Sequence, residues 1–207
     1  MMDIDKETKT FELTKLDVKA LAAFCGTGEP LGCVRFEPKM GSVIATDGKA
    51  LLLAELKGSF SQDDFSVPVS ALVIQARLLT GANTLGVGFD DKRREIVLRT
   101  VAGRGCSATS EEVETGFPKW RQVIPGRDFG GKRSETNLLK KVSPDSVGFD
   151  SALVARLALV QKMAGSKGTE FSFYGSDKRG EGTESLSAVF KGTEGGVYTV
   201  VIMGMRL

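Results

Sequence analysis

The chain has 207 residues, 41% hydrophobic and 26% charged, enough for one large buried core or two small ones. No apolar run nears the roughly 20 residues that span a bilayer, and the charged start "MMDIDKETKT" lacks signal-peptide character, so a cytoplasmic protein without membrane contact is expected. Histidine is absent, which excludes the Ser-His-Asp triad and the commonest general base and metal ligand, and a net charge of +2 is too small to hold a polyanion by bulk attraction alone.

The first helix is predicted in "LTKLDVKALAAFCG". Thr14 and Asp17 make a capping box, Leu16, Ala20, Leu21 and Phe24 share a face, and Gly26 suits a left-handed C-terminal position. Strand-like runs "GCVRFEP", "SVIATDG" and "KALLLAEL" follow it. A second helix is predicted in "VPVSALVIQARLLTG", with Ser70 as N-cap and Gly81 as stop, followed by "TLGVGFD", "REIVLRTV" and "GCSATSEEV". The Gly- and charge-rich stretch "GRDFGGKRSETNLLKKVSPD" reads as a linker. A third helix, "VGFDSALVARLALVQKMAG", has Asp150 or Ser151 as cap, Leu153, Leu157 and Val160 on one face, and Gly165 as stop. The runs "TEFSFYG", "LSAVFKG" and "YTVVIMGM" complete the chain.

The second and third helices share "SALV" at 70–73 and 151–154, and the pattern of strand, helix and three strands occurs at 8–58, 63–125 and 145–207. A unit that cannot bury its own apolar face stacks on its neighbours, which predicts an α+β fold with sheets outside and helices on one face. The expected division is a two-unit domain over 1–125, a linker over 126–144 and a single unit over 145–207.

Little points to catalysis. Cys25, Cys33 and Cys106 lack C-x-x-C spacing and read as small buried hydrophobes. "GTGEPLG" and "GSKGTE" do not match a phosphate-binding frame. The acidic pairs Asp63 with Asp64, Asp90 with Asp91 and Glu111 with Glu112 sit beside Lys and Arg and read as solvated surface. No metal, no cofactor and no enzymatic activity are expected. In the second and third helices the only charges are Arg77, Arg156 and Lys162, so a helix layer would present a weakly basic face, suited to a phosphate backbone.

Two further segments stand out. "IATDGKALLLAEL" places a tight turn at Asp47 and Gly48 between strands, and "GFPKWRQVIP" sets Phe117 just before Pro118 and Trp120 between Pro118 and Pro125. The end of the chain, "TVVIMGMRL", is apolar where termini are usually polar.

In order and spacing, "ATDGKALLLAEL", "FSVPVSALVIQARLL", "GFPKWRQVIP" and "YTVVIMGMRL" resemble the bacterial β sliding clamp, the processivity ring of the replicative DNA polymerase. The match runs from about Thr10 to Pro125 over that family's middle domain and from about Val147 to Leu207 over the second half of its last. The resemblance implies the DNA clamp fold, helices that line a channel around duplex DNA, and a cleft that takes short apolar peptides from the DNA polymerase and other clamp-binding proteins. Position by position, the cleft would comprise Leu31, Thr46, Gly48, Lys49, Ala50, Leu51, Pro125, Val201, Ile202, Met203, Met205 and Arg206; the DNA-facing helices would offer Lys15, Lys19, Arg77, Arg156 and Lys162.

The chain departs from the family in having Gly204 where proline is usual, Lys49 and Ala50 after the turn glycine, and a short "GTGEPLG" loop. It has three units where the family has six, so two chains cannot close the usual ring, and four copies would supply twelve units. The resemblance thus implies a homo-oligomeric processivity factor, served by a clamp loader, that contacts duplex DNA without reading its sequence. The alternative is a clamp-like module that only competes for clamp-binding partners, or an α+β protein sharing the fold alone.

Overall fold

Thr14 opens the first helix through a complete capping box: its hydroxyl accepts from the Asp17 N–H at 3.1 Å, and the Asp17 carboxylate accepts from the Thr14 N–H at 2.6 Å. In this computed structural model, which describes residues 10–56, 63–81, 83–90, 95–101, 107–111, 116–124, 140–142, 149–175, 185–193 and 195–203, that helix is the centre of a three-helix layer.

The elements run β1 (Phe11–Leu13), α1 (Lys15–Phe24), β2 (Cys33–Glu37), β3 (Ser42–Thr46), β4 (Ala50–Glu55), β5 (Phe65–Pro68), α2 (Val69–Arg77), β6 (Thr84–Asp90), β7 (Glu95–Val101) and β8 (Ser107–Glu111). They continue with β9 (Lys140–Val142), α3 (Ser151–Ala155), α4 (Leu157–Ala164), β10 (Thr169–Gly175), β11 (Ser185–Lys191) and β12 (Val197–Met203). The succession is strand, helix and three strands, three times over. The third helix is interrupted at Arg156, where the backbone tightens and the Leu159 N–H bonds the Arg156 carbonyl at 3.0 Å.

All strand pairs are antiparallel. One sheet has the order β1-β6-β7-β8 and the other β5-β2-β3-β4-β12-β11-β10-β9. The first two units exchange their first strands, β1 pairing with β6 and β5 with β2. Four phenylalanines, two from each sheet, fill the seam that this exchange creates: Phe11, Phe36, Phe65 and Phe89 contact in sequence with ring centroids 5.3, 5.1 and 5.7 Å apart. The third unit joins the first through β4 and β12, from Ala50↔Ile202 to Glu55↔Val197. One large core lies between the sheets and helices, and a smaller one, Ile44, Leu51, Leu53, Trp120, Ile124 and Val201, lies on the opposite face of β3, β4 and β12.

The sequence reading needs correction in local detail. Gly26 is not left-handed; the extended Cys25 ends α1, and a Cβ on Gly26 would lie 2.9 Å from the Leu31 Cβ. Ser70 is not a cap: α2 starts one residue earlier, after Pro68, because the Gly32 carbonyl accepts the Val69 N–H at 3.0 Å. Gly81, with φ of +60°, turns the chain four residues beyond the end of α2 at Arg77. Asp150 does cap α3, and Gly165, at φ of +61°, ends α4. The stretch 126–144 contains β9, which pairs along β10 and satisfies backbone groups that an open edge would leave to solvent. Cys33 is buried and Cys25 half-buried, its thiol pushed up to about 12, chiefly by burial; Cys106 lies outside the described residues.

Because Phe36 is fully enclosed in the seam, Phe36→Ala is expected to destabilise the chain by about 3 to 5 kcal/mol. Urea unfolding of the two proteins measures this directly.

Candidate functional site: an apolar groove beside strand β12

The turn between β3 and β4 is built by two side chains. Thr46 donates its hydroxyl to the Ala50 carbonyl at 2.8 Å and accepts the Gly48 N–H at 3.1 Å; one Asp47 carboxylate oxygen accepts the N–H groups of Lys49 and Ala50, both at 2.8 Å. Gly48 sits at φ of +85°, where a side chain is strained. The other Asp47 oxygen accepts from Arg156 at 2.6 Å, which ties the turn to the junction of α3 and α4. On its far side the turn meets β12, whose Met203 N–H bonds the Lys49 carbonyl at 2.9 Å.

A 3₁₀ turn over Trp120–Val123 closes the other wall. Glu37, 3% exposed, holds it: one carboxylate oxygen accepts from the Trp120 indole at 2.9 Å and the other from Arg121, whose guanidinium lies 4.6 Å from the Trp120 ring centroid. Burial pushes the Glu37 carboxyl above its ordinary range, with the indole and Arg121 pulling it back.

Between these walls lies an apolar groove of about 260 Å³. Thr46, Gly48, Lys49, Ala50 and Leu51 form one side, Val201 and Met203 the floor and lip, and Pro118, Lys119, Trp120, Gln122 and Val123 the other side. The volume is below the roughly 300 to 1,000 Å³ of sites that enclose a small molecule, and matches a few side chains of a docked segment. Lys49, Lys119 and Gln122 are exposed at its rim, and Met203 is 39% exposed.

Of the expected cleft residues, Thr46, Gly48, Lys49, Ala50, Leu51, Val201 and Met203 come together here. Ile202 does not: successive residues of a strand point to opposite faces, and Ile202 is fully buried in the main core while Val201 faces the groove. Leu31 is half-buried behind Gly48 and does not line the groove. Pro125, Met205 and Arg206 lie outside the described residues. The sequence reading missed Pro118, Lys119, Trp120, Gln122 and Val123 as groove residues; the clue was the aromatic-bearing segment bounded by two prolines.

On the helix layer Lys15, Lys19, Arg77 and Lys162 are exposed. Arg156 differs, since its guanidinium is turned onto Asp47 and lies 5.7 Å from the Phe24 ring centroid. Among the described residues no three acidic or cysteine side chains gather as metal ligands, and no helix is long and apolar enough to cross a membrane.

No protein-family model matches the sequence, and no curated relative does. Solved structures match over nearly the whole chain. The DNA polymerase sliding clamp of Pseudomonas aeruginosa is 20% identical, with a TM-score of 0.58 over 99% of this chain and 69% of its own. The DNA polymerase III subunit beta of Borrelia burgdorferi is 13% identical, with a TM-score of 0.60 over 100% and 67%. The chain has the sliding-clamp fold. A clamp-fold match also comes from the PCNA2-PCNA3 complex of Sulfolobus tokodaii, 10% identical, with a TM-score of 0.55 over 93% of this chain and 98% of the other. The chain spans about two thirds of the length of the bacterial clamp structures it matches.

The Asp47 bridge makes a pH prediction. Burial raises the Asp47 carboxyl, but the Ala50 N–H, Arg156 and the Lys49 N–H outweigh it and hold the group below its ordinary 3.8. A depressed carboxyl stabilises the fold above its unfolded pKa and loses that contribution as pH falls through the folded one. Asp47→Asn is therefore expected to be about 1 to 3 kcal/mol less stable than wild type at neutral pH, with the difference closing below pH 3.8, as followed by denaturant unfolding across pH.

Proposed function

We propose that the chain is a compact, cytoplasmic, non-catalytic sliding clamp that contacts duplex DNA through its helix layer and docks short apolar peptides of polymerases or other clamp-binding proteins in the groove beside β12. The observation that carries this reading is the groove itself, placed on a clamp fold and lined at seven of the positions that the family resemblance assigns to a peptide cleft. Its aliphatic and thioether lining adapts to several ligands, and the exposed Lys49 and Lys119 favour a peptide with an acidic residue beside its apolar anchors. Two buried anchors contribute roughly 3 to 6 kcal/mol before ordering costs, which sets binding at about micromolar to millimolar.

The helices supply four exposed cations, Lys15, Lys19, Arg77 and Lys162, while the acid of α1, Asp17, is used in its cap. Contacts of this number are weak, sequence-blind and easily removed by salt. Such contacts suit a protein kept on DNA by topology and free to slide.

A second reading, a clamp-like module that uses only its peptide groove, is favoured by Arg156, whose guanidinium is engaged by Asp47 and not offered to a phosphate backbone. Two measurements separate them. A fluorescent clamp-binding peptide titrated against wild type and Met203→Asp is expected to bind the wild type and to lose at least about tenfold in affinity with the variant, a cost of about 1.4 kcal/mol; equal binding, or none, refutes the groove. Retention on nicked circular DNA with release on linearisation supports encirclement. Equal loss from circle and line leaves the peptide-only module.

A further inference from the structure

The three units are aligned by their own strand registers, and the alignment exposes an inequality. Phe36, Phe89 and Phe173 occupy one position, opposite Val43, Ile96 and Leu186 of the next strand; Val34, Val87 and Phe171 occupy the position two residues earlier, with Val87 opposite Leu98 and Phe171 opposite Ala188. In the first two units both positions are sealed, because each unit covers the other: Val34 and Val87 are fully buried, and Phe36 and Phe89 are 0% and 7% exposed. In the third unit Phe171 is 51% exposed, and Phe173, 6.3 Å from the Phe149 ring, is only half-buried. The shared "SALV" segment behaves alike: Val73 of α2 packs against the core, whereas Val154 of α3 is 38% exposed.

We propose that a second copy of this chain covers the third unit with its own third unit, the two related by a two-fold axis. The occupant follows from the repeat. Within the chain, the face that carries Val34 or Val87 is covered by another unit of the same kind, and the first and second units already cover each other. Among the described residues the unmatched face of this type belongs to the third unit, so the complementary unmatched face is the same one on another molecule. A surface that pairs with itself closes at two copies. The apolar contact is made by Phe171, Phe173, Phe149 and Val154, and β9 already holds the fourth strand position beside β10, so packing across the seam needs no strand exchange. Two copies so joined contain three complete unit pairs. The inference rests on the repeat and does not depend on peptide or DNA binding.

The test is solution mass by light scattering across a range of about 1 to 100 μM, where an interface of modest affinity dissociates, on wild type, Phe171→Asp and, as a surface control, Ile74→Asp on α2, a residue 58% exposed outside the third unit. Wild type is expected at twice 22.1 kDa at the upper end, or at a multiple that Phe171→Asp reduces; Phe171→Asp is expected to weaken the pairing at least about tenfold, and Ile74→Asp to leave it unchanged. Because Phe171 is exposed in the single chain, the variant keeps the wild-type circular dichroism and a cooperative unfolding transition. Wild type monomeric throughout overturns the proposal, as does an oligomer that survives Phe171→Asp or is broken by Ile74→Asp. A Phe171→Asp protein that loses its fold is replaced by Val154→Asp, judged by the same masses.

Discussion

The antiparallel pairing of β4 with β12 is the constraint on which the rest of the molecule depends. It joins the third unit to the first in one eight-stranded sheet, and its alternation sorts the tail: Leu51 and Val201 face the groove, while Ala50, Val200 and Ile202 enter the main core. A register slip of one residue would turn Ile202 outward and Val201 into the core. The Met203 N–H to Lys49 carbonyl bond carries the pairing one step beyond the ladder and places the lip of the groove against the turn. The apolar stretch Val197–Met203 is therefore ordered by burial and pairing, which offset its conformational entropy.

Two carboxylates, the buried Glu37 and the half-buried Asp47, brace the groove from opposite sides and answer the cost of burial differently. Asp47 accepts two backbone N–H groups and Arg156, and these donors win over desolvation. Glu37 has the Trp120 indole and Arg121, and desolvation wins, so its carboxyl is raised. Both are polar anchors within apolar surroundings, where removal of one partner leaves the other unsatisfied at a cost of about 1 to 3 kcal/mol. The walls of the groove are thus held by side chains of β2 and of the β3–β4 turn.

Much of the fold was legible in the sequence because it rests on local rules. The capping box at Thr14, the glycine turn at Gly48, the Asp150 cap and the Gly165 stop all appear where spacing predicts them, and the three units follow from repeated alternation of strand and helix patterns. What the sequence concealed depends on contacts far along the chain. Ser70 has the chemistry of a cap, but the helix opens at Val69, whose N–H is taken by the carbonyl of Gly32, 37 residues before it. Arg156 reads as a surface cation on a helix, whereas Asp47, 109 residues away, turns it inward. Trp120 reads as an aromatic in a proline-bounded turn; its role as a groove wall depends on Glu37, 83 residues before it. The positions read from the turn, with Val201 and Met203, line one groove together with residues of the Trp120 turn that only tertiary hydrogen bonds bring there, whereas Ile202 turns into the core.

Amide hydrogen exchange, followed residue by residue, tests the pairing of β4 with β12 most directly. The account predicts that the amides hydrogen-bonded between Ala50–Glu55 and Val197–Ile202 fall together in the slowest exchanging class, near the free energy of global unfolding. Fast exchange along β12 while β4 stays protected would show that the tail is not the closing strand, and would contradict the account of the groove.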